Sequence, residues 1–158
     1  PVLLHNDYGN PTLNAQGGTP GTAIGPKGTG ISTWYFLTGG GISIDCPNTP
    51  IPNPTKRIFI QITSDKGPAG IPTVTAAGST GGLVGPIGTL GEGGNWYTYQ
   101  YLIELHPNPR SEQIWIPIVG NTNVEEVWVN TICVPEPGSM AALGTGLIGL
   151  IGLIRKRK

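Results

Sequence analysis

The chain has 158 residues, nine acidic against nine basic, with 26 Gly and 16 Pro; that length suits one domain plus a tail and excludes two full domains. Such a Gly and Pro content raises disorder as an alternative, but the glycines concentrate in residues 17–30 and 67–94, while the segments between carry aromatic and β-branched residues in strand-like order. The zero net charge hides four cations at the very end: before residue 134 five basic residues face eight acidic ones, a mildly acidic body without the clustered Lys and Arg of a nucleic-acid footprint.

In chain order, residues 31–37 (ISTWYFL) read as a strand, being β-branched and aromatic and bounded by glycine. Gly39, Gly40 and Gly41 then predict a turn, with residues 42–45 as the return strand of a hairpin. Pro47, Pro50, Pro52 and Pro54 impose an extended connection that cannot be helix. Residues 57–63 (RIFIQIT) put Ile58, Ile60 and Ile62 on one face, the period of a half-buried strand with isoleucine inward. A weaker strand is expected at 72–76, inside a stretch otherwise read as Gly-rich loop.

Residues 95–105 alternate strongly, with Tyr97, Tyr99, Tyr101, Ile103 and Leu105 opposite Trp96, Thr98, Gln100, Leu102 and Glu104. A turn at 106–109 precedes a strand at 113–119, where Pro117 favours an edge or bulge because it cannot donate to a ladder. A second turn at 121–123 leads into 124–133, with Val127, Val129 and Cys133 on one face and Glu126, Trp128, Asn130 and Ile132 on the other. Short strands with turn chemistry, and no 3.6-residue apolar stripe before residue 138, predict an all-β body over 1–133, an antiparallel β-sandwich or jelly-roll-like ectodomain.

No residue of this body is assigned a catalytic, metal or cofactor role. His5 and His106 lie in turn-rich surroundings without a nucleophile motif, and no Gly-Lys-Ser/Thr phosphate loop occurs. Glu104 with Glu112, or Glu125 with Glu126, are the conceivable carboxylate pairs for glycoside hydrolysis, and a secreted hydrolase is the weakest of the functional alternatives. Asp45, Asp65 and Glu92 lie near loops without a calcium-site spacing. Aromatic side chains on a sheet face can stack on sugar rings, so Trp96, Tyr97, Tyr99 and Tyr101 are the candidate glycan-stacking set, against the alternative that they fill the core.

At residue 134 the composition changes. Val134 is followed by Pro135, Glu136 and Pro137, then by an apolar run through residue 154, then by Arg155, Lys156, Arg157 and Lys158. The two prolines hold the backbone extended around one carboxylate, a shape suited to a processing enzyme's cleft. The 17 residues 138–154 make a helix of roughly 26 Å, slightly short of a hydrocarbon core of about 30 Å but able to cross it with local thinning. The basic end fixes topology by staying cytoplasmic.

This ordered combination, residues 134–158, resembles the PEP-CTERM sorting signal of Gram-negative bacteria. The resemblance implies that an exosortase, an integral-membrane enzyme similar to cysteine transpeptidases, processes the chain near Pro135, Glu136 and Pro137, so the chain is a substrate and not an enzyme. It implies a signal peptide in the precursor and an inner-membrane anchored intermediate with a periplasmic ectodomain. The end point is the cell surface or the exopolysaccharide-rich biofilm matrix, where exopolysaccharide or another surface glycan is the conceivable partner. An exported context also favours a disulfide between Cys46 and Cys133 over two unpaired thiols.

Overall fold

The computed structural model describes residues 2–6, 9, 11–25, 27–48 and 55–134, with only the backbone described at 2–6 and 85–87. Strands dominate, in two stacked sheets. The larger holds β1 (Val2–Asn6), β3 (Thr19–Ile24), β4 (Gly30–Phe36), β6 (Thr55–Ser64), β8 (Thr80–Gly93), β9 (Trp96–His106) and β11 (Thr122–Val134). Its order is β3-β4-β11-β6-β9-β8, with β1 also on β11. The smaller, ordered β2-β5-β10-β7, holds β2 (Thr12–Gln16), β5 (Gly40–Pro47), β7 (Thr73–Thr75) and β10 (Ser111–Ile118).

The core between the sheets follows the period-two pattern. Ile58, Ile60 and Ile62 of β6 are all fully buried, as are Val127 and Val129 of β11, and opposite them lie Ile42 and Ile44 of β5 with Ile114 and Ile116 of β10. A register shift between Val124 and Glu126 restores Val124 to the inward face, the two-against-one geometry of a bulge. On the outer face of the larger sheet the cross-strand partners match in kind. Arg57 meets Glu104, Phe59 packs edge-on against Trp128, Gln61 accepts from Gln100, and the Thr63 and Thr98 hydroxyls share a hydrogen bond of 2.7 Å. Such pairs fix register as well as adding stability.

Several features depart from the sequence expectations. The strand at 31–37 and the one after the triple glycine do not form a hairpin: β4 lies in one sheet and β5 in the other. Gly39 (φ 87°) and Gly40 (φ 147°) carry the chain across in backbone conformations that side chains disfavour. Much of both Gly-rich stretches is strand. β3 pairs with β4, and β8 runs along β9 as an edge with three register shifts. Glycine-rich, bulged and carrying Pro86, β8 is unsuited to template another chain. Finally, the pairing is antiparallel except that β1 runs parallel to β11.

Pro117 does not occupy an outer strand, since β10 lies between β5 and β7. It is accommodated because β7 pairs only as far as Trp115. The Pro117 carbonyl accepts from Ala69 N at 2.8 Å on that same side, where the missing N–H leaves no ladder bond unmade. Asn121 (φ 57°) turns the chain into β11. Tyr35 donates its hydroxyl to Asn121 Oδ1 at 3.0 Å, tying that turn to β4.

Candidate functional site: the end of the sandwich where the sorting segment begins

β11 runs between β6 and the pair β4 and β1, and it is the strand that delivers the chain to the C-terminal segment. Its ladder with β6 runs from Val124 to Val134, which pairs with Thr55. Thr122 to Val124 pair with β4 and Val127 to Thr131 with β1. Pro135, Glu136 and Pro137, the apolar stretch 138–154 and the basic end Arg155, Lys156, Arg157 and Lys158 lie outside the described residues. Among the described residues no helix is long and apolar enough to cross a membrane.

The four aromatic residues singled out for glycan stacking do not converge on an exposed surface. Tyr101 points between the sheets and is buried, and Tyr99 packs against the core beside it. Tyr97 shares that face but lies at the end of the sandwich, where it is 40 % exposed. Its ring is tilted 50° from that of Tyr99. Trp96 points the other way, is buried under the end of β3, and donates its indole N–H to Ile24 O at 2.9 Å. The tyrosine face is thus the core face of β9, and flat stacking on a sugar would need it turned outward.

Cys46 and Cys133 are both free thiols, which differs from the expected bond. They stand in opposite sheets at the same end of the body. Cys46 is the ladder neighbour of Glu112 and Cys133 that of Lys56. Lys56 and Glu112 fill the space between, with Nζ 2.5 Å from Oε1 and neither side chain exposed. Burial, then the Glu112 charge, push the Cys46 thiol up to about 12, against the opposing pull of Lys56. Burial also raises the Glu112 carboxyl above its usual range, and the adjoining Lys56 ammonium opposes it.

Two further polar residues close this cluster. Asn48, one residue past β5, donates Nδ2 to Asn108 Oδ1 and to Pro109 O, each at 2.7 Å, and contacts Glu112 Oε2 at 3.4 Å. Lys56 Nζ, Glu112 Oε1, Asn48 Oδ1 and Asn108 Nδ2 are buried without an aligned hydrogen-bond partner, the short Lys56–Glu112 contact being an ion pair of poor hydrogen-bond geometry. In sequence Glu112 figures only as half of a conceivable carboxylate pair, and no motif marks Lys56 or the two asparagines. The readable signal was parity: Lys56 is in phase with Ile58, and Glu112 with Ile114.

The other candidates are separate. Glu104 is paired with Arg57 through a 2.6 Å contact, and His106 is exposed, its Nδ1 3.0 Å from Thr55 Oγ1. Asp65 accepts from the backbone N and Nδ2 of Asn123, each at 2.8 Å, which secures the start of β11. Asp45 accepts from Gln113. No group of metal-ligating side chains occurs among the described residues, and the side chain of His5 lies outside them.

A sandwich whose long, doubly paired β11 hands over directly to a proline-flanked carboxylate, an apolar run and a cationic end defines a class: an exported protein with a C-terminal membrane-anchoring signal. Residues 134–158 match the PEP-CTERM protein-sorting motif. The chain is a PEP-CTERM sorting domain-containing protein, and its tail is a signal of the kind that exosortases process. Comparison with curated proteins and with solved structures returned no match.

Proposed function

We propose that the chain is a noncatalytic surface or extracellular-matrix protein of a Gram-negative bacterium, held at the inner membrane by residues 138–154 with its body in the periplasm until an exosortase acts near Pro135, Glu136 and Pro137. The observation that carries this reading is the position of β11. It is hydrogen-bonded along its length and stops at Val134, where the matched motif starts. The core side chains that β11 supplies among the described residues, Val124, Val127 and Val129, lie before that point, so a cut within the motif leaves them in the body. The four terminal cations oppose translocation of the end, and the apolar run supplies the membrane affinity.

The test is mass spectrometry of the protein recovered from its host. The mature chain is expected to end near residues 135–137, and replacement of Pro135, Glu136 and Pro137 by alanine is expected to leave the tail attached and the protein in the membrane fraction. Recovery of the wild-type protein from the cytosol with Lys158 still in place overturns the reading.

A further inference from the structure

We infer that Lys56 and Asn48 are the two ends of an intramolecular isopeptide bond that the folded body forms on itself, with Glu112 as its proton carrier. The argument starts from an arrangement that is costly to leave as it is. A lysine and a glutamate, both fully enclosed, meet between the sheets, and taking two charges out of water carries a desolvation cost that their attraction offsets only in good geometry. On the other oxygen of the same carboxylate sits the Asn48 amide. One carboxyl group therefore touches both an amine and a carboxamide, away from water. The amine Nζ and the amide Oδ1 are both buried without a hydrogen-bond partner in the protein.

The chemistry balances without an oxidant or cofactor. Glu112 Oε1 takes one proton from Lys56 Nζ, which becomes a free amine nucleophile. Asn48 Nδ2 stays on Asn108 Oδ1, Pro109 O and Glu112 Oε2, so the protonated carboxyl stands beside the nitrogen that is to leave. Nζ then bonds to Cγ, and the tetrahedral centre collapses with cleavage of Cγ–Nδ2. The second amine proton, relayed by Glu112, leaves with Nδ2 as ammonia. The products are a neutral secondary amide, one ammonia and a protonated Glu112, and no atom changes oxidation state. A buried ion pair has become an uncharged link.

The surroundings favour each step. Burial raises the Glu112 carboxyl, so its protonated form is the one this site prefers at the end of the reaction. Asn108 Oδ1 and Pro109 O hold the leaving nitrogen at 2.7 Å each, which orients the amide. The three reacting residues come from the residue just past β5, the start of β6 and the start of β10, so the site exists only when both sheets have assembled. The link would close the chain from 48 to 56 beside the exit of β11, where Val134 pairs with Thr55. A body worked on at its C-terminal end gains a staple that reduction cannot open.

The test is peptide mass spectrometry of the full chain, unfolded and digested with trypsin. The expected product is a peptide spanning 28–57, uncut after Lys56, lighter than its sequence by about 17 Da for lost ammonia, with Lys56 refractory to amine acylation. Glu112→Gln and Lys56→Met are expected to restore the full mass of residues 28–57. A wild-type peptide of full mass whose Lys56 is cut and acylated normally overturns the inference. So does the same mass loss in a peptide that hydroxylamine opens and whose Lys56 still reacts, since that is a succinimide at Asn48.

Discussion

Lys56 of β6 and Glu112 of β10 meet between the two sheets with neither side chain open to solvent. Removing one partner strands the other in the core, so, with the bond to Asn48 blocked by Asn48→Ala in parent and variant alike, Lys56→Met is expected to destabilise the body by about 3–5 kcal/mol. The exposed pair of Arg57 and Glu104 is the control: Arg57→Met is expected to cost less than about 1 kcal/mol. Urea unfolding of the two variants against the parent reads the contrast. Equal losses from both would mean that the buried pair is not buried in solution.

Glu112 also makes stability depend on pH with a definite sign. Its carboxyl lies above the ordinary value of 4.5, chiefly through burial and against the pull of Lys56. The folded state therefore holds this proton more tightly than the unfolded chain, and linkage makes the contribution largest below about 4.5 and lost as pH rises through the folded value. Stability of the parent relative to Glu112→Gln is expected to fall on moving upward from about pH 4, and to level off once Glu112 ionises. A difference between the two proteins that stays flat, or that grows with pH, would show an unperturbed or lowered carboxyl.

Strand identity was legible in the sequence wherever isoleucine, valine and tyrosine alternated. The inward face of β6 was legible from side-chain parity, and parity separated the two faces of β9 and β11 without showing which one turns inward; Tyr97 is partly exposed on the inward-facing side of β9. Pairing was less legible. The triple glycine that leads into β5 as Gly39, Gly40 and Gly41 resembles a hairpin turn locally, and only the burial of Ile42 and Ile44 against the opposite sheet decides that the chain crosses over. β8 was hidden because glycine carries no face to alternate. The tail was legible as an ordered combination of proline, acid, oil and cations. Lys56 and Glu112 are in phase with buried isoleucines, but parity alone does not show that a charged side chain is enclosed with a partner from the opposite sheet.

Cys46 tests the electrostatics of the same region. With its thiol pushed to about 12 and its side chain enclosed, almost none of it is thiolate near neutral pH, and thiolate is the reactive form. Cys133 is partly exposed. Iodoacetamide added to the native protein at about pH 8 is expected to label Cys133 at least about 100-fold faster than Cys46. After unfolding the two rates are expected to converge. Failure of both to label in urea without reductant would reveal a disulfide that the folded geometry does not contain.

Gly40 tests the crossing between sheets, because its demand is made on backbone and not on packing alone. It sits at φ 147°, and a β-carbon there would run into the carbonyl oxygen of Gln16, part of the backbone of the neighbouring strand β2 and unable to swing aside. Gly40→Ala combines a disfavoured dihedral with an unavoidable clash and is expected to cost about 2–3 kcal/mol. Gly82, exposed in the edge strand β8, has open space where its β-carbon would go. Gly82→Ala is expected to leave stability unchanged or to raise it by up to ~1 kcal/mol, by restricting the unfolded chain. Thermal unfolding of the two variants separates glycine needed for geometry from glycine that merely occupies a strand. A tolerant Gly40 would mean that β5 leaves β4 by a different path.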